Sequence, residues 1–275
     1  MNAPGTTAGS APATSPHRPE LWWTVQNAAV VTGRNMRHFL RQPQLLVFST
    51  IQPIMFVLLF VYVFSGAIEK SLPAGLEYVD YLIPGILIQA TSFRASQTAV
   101  GLAEDLDRGV VDRFRSMPVA RSAVLLGRTL ADLVRTLLVT LLMIGVGYLV
   151  GFNFSAGFLD ALGTIAVVCF FGFAMSWIFA FVGLVVKGAE TAQSAGFVML
   201  FPLVFASSIF VPVATMPSWL QAFADHSPIT YTVNASRALA IGGEVAEPLL
   251  YTCLWLGGIL AVFVPLCVWR YRKMS

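Results

Sequence analysis

The chain has 275 residues, of which 57% are hydrophobic and only 11% charged, against about 25% charged in an ordinary soluble domain. So little charge cannot cover a water-facing surface, which excludes soluble enzymes, disulfide scaffolds and disordered proteins and predicts a polytopic, all-α integral membrane protein. The net charge of +3, from 17 bases and 14 acids, is too small to imply a nucleic-acid partner. Cys169, Cys253 and Cys267 lie in apolar runs with no C-x-x-C spacing and no histidine pair, so no metal site is expected.

Residues 1–20 are rich in Ala, Pro, Ser and Thr and lack the basic start and apolar stretch of a signal peptide, so they read as a disordered cytoplasmic tail. In residues 21–41, Leu21, Val25, Ala28, Thr32, Met36 and Phe39 recur at steps of three or four, with Asn27, Arg34, His38 and Arg41 on the opposite face. This predicts an amphipathic interfacial helix, with Trp22 and Trp23 at headgroup level.

An uncharged stretch of about 20 residues spans the hydrocarbon core. Measured by the gaps between charges, residues 42–273 hold six spans, at 45–67, 79–103, 124–150, 161–186, 192–213 and 248–269. Past Asp80 the second is interrupted only by Arg94, and the charge-free part of the third begins after Arg135. Pro212 and Pro217 break the run after the fifth, leaving residues 216–247 as an outer segment that is re-entrant or interfacial. Arg18, Arg34, Arg37, Arg41, Arg108, Arg113, Arg115, Arg121, Arg128, Lys187, Arg270, Arg272 and Lys273 then share one side, against Lys70 and Arg237 on the other. Lys and Arg resist translocation, so both termini are expected in the cytoplasm of a multi-pass plasma-membrane protein.

The loop from Glu104 to Arg121 is the most charged, with Glu104, Asp105, Asp107 and Asp112 set among Arg108, Arg113, Arg115 and Arg121. Val110, Phe114 and Met117 fall on one helical face, and Pro118 ends the run. A helix resting on the inner leaflet would favour a basic polar face, so the mixed charge predicts a protein partner instead.

With these residues in view the chain resembles the ABC-2 type permeases, the membrane subunits of ATP-driven exporters. Glu104, Gly109 and Met117-Pro118-Val119 are similar to the glutamate, glycine and T-P-V positions of that family's first cytoplasmic loop. The outer motifs Ser207–Pro212, Met216–Leu220, Ser227–Tyr231, Arg237-Ala-Leu and Gly242-Gly243 follow in the family's order. Leu126–Arg135 resembles the daunorubicin and doxorubicin resistance type. In two places the chain departs from the pattern, with Gly109-Val110 for Gly-Thr and His226-Ser227-Pro228 where Asn usually precedes the proline.

The resemblance implies a cytoplasmic coupling helix seated in a groove of a separate ABC ATPase, and a second permease subunit, either an identical copy or a paralogue. Phe114 and Met117 would be the apolar knobs of that helix, with Glu104, Asp107, Arg108, Gly109, Arg113 and Pro118 around them. The sequence contains no G-x-x-x-x-G-K-[ST] loop. The chain is therefore expected to be a non-catalytic translocation subunit that binds no cofactor itself, with ATP and Mg on the partner. Arg94, Asp132, Arg135 and Pro202 are candidates for the substrate path or gating, Arg128, Asp132 and Arg135 forming a ladder on one helix face. The expected cargo is a hydrophobic or amphipathic small molecule, drug-like or lipid, taken from the bilayer or cytoplasm. The alternatives are an exporter of cell-envelope glycan and an ion-coupled secondary carrier, the second disfavoured because no acid stands at the centre of a span.

Overall fold

The computed structural model describes residues 43–72, 75–108, 121–155 and 157–273. The expected tail and interfacial helix, and loop residues 109–120, lie outside them.

The described residues are helical almost throughout. Helix α1 (Pro43–Leu59) continues through a π turn at Phe60–Phe64 into α2 (Ser65–Ile68) and a 3-10 turn at Glu69–Ser71. Then come α3 (Tyr78–Asp107), α4 (Arg121–Val150), α5 (Phe158–Val185) and α6 (Ala189–Phe205). A 3-10 turn at Val213–Thr215 leads to α7 (Ser218–Asp225), α8 (Pro228–Ile241) and the last helix, α9 (Ala246–Lys273). Four stretches are long and apolar enough to cross a membrane: Thr50–Ser71, Gly127–Val150, Phe158–Val185 and Ala246–Tyr271.

Helix α3 is absent from those four because its sequence is mixed, yet it is the centre of the bundle. It packs against α5 most extensively and also against α6, α4 and α8. Its buried positions include Gln89, Thr91, Ser92, Ser96 and Thr98 beside Leu82, Ile86 and Leu102. A helix walled by other helices can carry such groups because they face protein instead of lipid, and small residues allow backbones to approach closely. Gly183 of α5 shows how closely: a Cβ there would stand 2.6 Å from the Ala99 carbonyl oxygen. Phe171, Trp177 and Phe179 of α5 are fully buried in this core. Helices α1 and α9 have the opposite character, with Met55, Tyr62, Val63, Leu250, Leu254 and Val262 exposed as an apolar surface suited to lipid.

One expectation is corrected. The fifth apolar helix stops at Phe205 and does not reach residue 213. Ala206 closes it through a 2.9 Å bond to the Pro202 carbonyl, and the next residues turn away. Pro202 supplies no N–H to the turn before it, and the carbonyls of Ser208 and Phe210, which a continuing helix would use, are taken by side chains of α3 and α8. The segment after this break forms α7 and α8. Ser227 starts α8, its hydroxyl accepting from the Ile229 N–H at 3.3 Å with Pro228 in the first helical position. The serine that departs from the family pattern is thus a helix cap. Helix α8 packs against α5, α9 and α3.

Candidate functional site

Three groupings of side chains bear on function. The first is the pair of helix ends that flank the charged loop. Glu104 and Arg108 pair at 3.2 Å on the last turn of α3, largely open to solvent. Across the gap, Arg128 of α4 forms an ion pair with Asp105 of α3. The Arg128 guanidinium lies over Gly101, where a side chain would require the arginine to shift. The Asp105–Arg128 pair thus ties the last turns of one 30-residue helix to the first turns of the next. Asp107 is the last residue of α3. Gly109, Arg113, Phe114, Met117 and Pro118 lie outside the described residues.

The second grouping is a polar seam between α3 and α4. Thr98 donates to Asp132 Oδ2 at 2.8 Å, and Arg135 pairs with Asp132 Oδ1 at 3.6 Å. The Thr136 hydroxyl donates to the Asp132 carbonyl at 2.9 Å. The expected ladder of Arg128, Asp132 and Arg135 is thus corrected: only Asp132 and Arg135 pair along the helix, while Arg128 turns outward to Asp105 of its neighbour. Spacing of four residues permits a pair on one helix, but the acid on α3 was invisible to that rule. Arg94 of α3 sits beside this seam, partly buried, and makes no hydrogen bond and no ion pair among the described residues. Pro202, the fourth candidate, lies apart from the seam, near the end of α6.

The third grouping joins two of the motifs quoted from sequence, at Ser208 and Arg237, to Tyr78 and Tyr81, which were not singled out there. The Arg237 side chain of α8 ties three segments together. Its Nε donates to the Tyr81 carbonyl at 3.0 Å, Nη1 to Asn234 Oδ1 at 3.2 Å and Nη2 to the Ser208 carbonyl at 2.9 Å. The guanidinium carbon stands 3.5 Å from the centre of the Tyr81 ring. Tyr81 donates its hydroxyl to the Ser208 carbonyl at 3.1 Å, and Tyr78 donates to Phe210 at 3.0 Å. The break after α6 is thereby pinned to the start of α3.

From that break a run of stacked and tilted rings descends along α6. Phe210 lies 4.6 Å from Phe60 of the π turn and 5.3 Å from Phe205, followed by Phe201, Phe197 and finally Phe93 of α3. Phe197, Phe201 and Phe205 are exposed. This is an apolar aromatic face beside an internal polar seam.

The arrangement is that of a polytopic helical membrane protein, with an ion pair between two long helices at one end and two internal polar clusters in an otherwise apolar bundle. The comparisons make the class specific. The ABC-2 type transporter profile matches residues 26–241, and the chain belongs to that family. It is 35% identical over 242 residues to the daunorubicin resistance ABC transporter permease protein DrrB1 of Streptomyces coeruleorubidus, covering 88% of this chain and 84% of that protein. It is 30% identical to the probable doxorubicin resistance ABC transporter permease protein DrrC of Mycobacterium tuberculosis, over 91% and 90% of the two chains. The polysialic acid transport protein KpsM of Escherichia coli is more distant, at 21% over 82% and 85%. The resemblance read from the loop and outer motifs is therefore established at family level.

Proposed function

We propose that this chain is the permease subunit of an ATP-driven exporter that moves hydrophobic or amphipathic small molecules, drug-like or lipid, out of the cell. The observation that carries the reading is the 35% identity to a daunorubicin resistance permease, spread over nearly the whole of both chains. The exposed Phe197, Phe201 and Phe205 suit an apolar cargo, whereas a hydrated glycan needs many hydrogen-bond partners that this face does not offer.

In this reading the chain makes six crossings with both termini in the cytoplasm, α6 being the short fifth and α3 the second. It works with a second permease subunit and a cytosolic ATPase, which holds ATP and Mg. The loop around Phe114 and Met117 seats in a groove of that ATPase, and nucleotide-driven closure displaces it. Helices α3 and α4 carry the displacement, since each 30-residue helix is about 45 Å of stiff rod and the Asp105–Arg128 pair moves their ends together. Pro202 and the adjoining break supply a bend at which α6 can yield.

Phe114→Asp tests the coupling assignment, because a charge pushed into an apolar groove costs several kcal/mol without a partner. The variant should reach the membrane in normal amount and lose its ATPase subunit during purification. Full association with unimpaired efflux would move the coupling contact away from residue 114.

A further inference from the structure

The seam between α3 and α4 has one more base than it has acids to match. Arg94 lies 16 residues from the start of α3 at Tyr78 and 13 from its end at Asp107, which places it roughly 20 Å or more from either end of the helix. An arginine at such depth is expensive and is normally paired or wet. The nearby acid, Asp132, attracts it through space, but both of its oxygens are engaged by other groups. Asp132 engages Arg135 through Oδ1 and accepts from Thr98 through Oδ2. The other acid of the seam, Asp105, is committed to Arg128 nearer the helix ends. Arg94, Asp132 and Arg135 together carry one net positive charge, and Arg94 is the base among them without a hydrogen bond or ion pair in the described residues.

From this geometry we infer that Arg94, with Arg135 behind Asp132, forms an intramembrane site for the anionic group of an amphiphile, a phosphate or carboxylate carried on an apolar body. Guanidinium is suited to the task because its planar donors match both groups in pairs and it stays charged when partly desolvated. A cationic head would meet net repulsion at the same place. The anion has two sources, an exported acidic amphiphile or the headgroup of an acidic membrane lipid. The inference rests on the export reading only for the first of these.

The test uses the full chain in nanodiscs of phosphatidylcholine, with a fluorescent dansyl fatty acid and its methyl ester as probes. The acid is expected to bind at least tenfold more tightly than the ester. Arg94→Gln should remove that preference while leaving ester binding unchanged, and Arg94→Lys should keep most of it, which separates loss of the site from loss of the fold. Equal binding of acid and ester to the wild-type chain overturns the inference, as does a preference that survives in Arg94→Gln. Phosphatidylglycerol added to the disc identifies the source. Displacement of the acid by this lipid at low mole fraction marks a lipid-headgroup site, and retention of the acid marks a cargo site. Efflux with the partner ATPase is measured in parallel. Charge-selective binding without efflux upholds this site and rejects the exporter assignment, whereas efflux with no charge selectivity at residue 94 does the reverse.

Discussion

Arg237 places three donors on acceptors from three segments, two of them main-chain carbonyls at Tyr81 and Ser208. Taking the arginine away removes three hydrogen bonds from a charged donor, a kind worth about 1.5–3 kcal/mol each, and leaves the Ser208 carbonyl with the Tyr81 hydroxyl alone. Arg237→Met should lower the thermal unfolding midpoint in detergent by several degrees, and Arg237→Lys, with one compact ammonium, should fall between the two. An unchanged midpoint in Arg237→Met would remove this residue from the account. At Gly183 a side chain meets main chain, the Ala99 carbonyl, which cannot swing aside. Gly183→Leu should therefore force α3 and α5 apart, costing about 1–3 kcal/mol or more, visible as a lower midpoint or reduced yield of folded protein. Neither residue could be valued from the sequence. Arg237 has its partners 156 and 29 positions away along the chain, and one arginine beside an alanine and a leucine carries no local sign of either.

At the scale of elements, the apolar helices were legible because hydrocarbon filters composition so strongly. Charge-free gaps at 161–186 and 248–269 fall within α5 (Phe158–Val185, except for its last residue) and α9 (Ala246–Lys273). The end of α6 was not legible in the same way. Residues 206–211 are apolar or small, and the break among them is made by donors on α3 and α8, which a hydropathy gap does not see. Arg94 stood out in the sequence as the base inside the second span, but the Thr98–Asp132 contact across to α4 was hidden for the same reason. The Asp105–Arg128 pair gives an element-scale prediction. Reversing either charge alone should weaken efflux by loosening the tie between the two helices that flank the proposed coupling loop, and the double variant Asp105→Arg with Arg128→Asp should recover part of it. The pair is partly exposed, with side-chain exposures of 42% and 22%, so its direct contribution to stability is about 1 kcal/mol or less. Recovery in the double variant is the informative result; two additive losses would mean that the residues act separately.

For the whole molecule, the proposed orientation rests on where the bases stand, since Lys and Arg are retained in the cytoplasm. Single cysteines at Leu72, Ala156 and Gln221, placed in a background lacking Cys169, Cys253 and Cys267, should react with an impermeant maleimide added to sealed cells, and one at Ser116 should be protected until the membrane is permeabilised. Labelling of position 116 from outside would invert the topology and with it the coupling loop. Family membership was readable from the order of short motifs along the chain and cargo only as a class, because sequences similar to this one are named both for daunorubicin resistance and for polysialic acid transport. The composition of the α6 face and the seam at Arg94 separate such cargoes only through physical contact, which makes transport itself the decisive observation. The chain should therefore be reconstituted in vesicles with its ATPase and loaded with a panel of hydrophobic amphiphiles and lipid-linked saccharides. The account predicts ATP hydrolysis stimulated by the amphiphiles, with efflux that stops when the ATPase is made unable to hydrolyse ATP. Stimulation by lipid-linked saccharides alone, or efflux that continues without ATP hydrolysis, would contradict it.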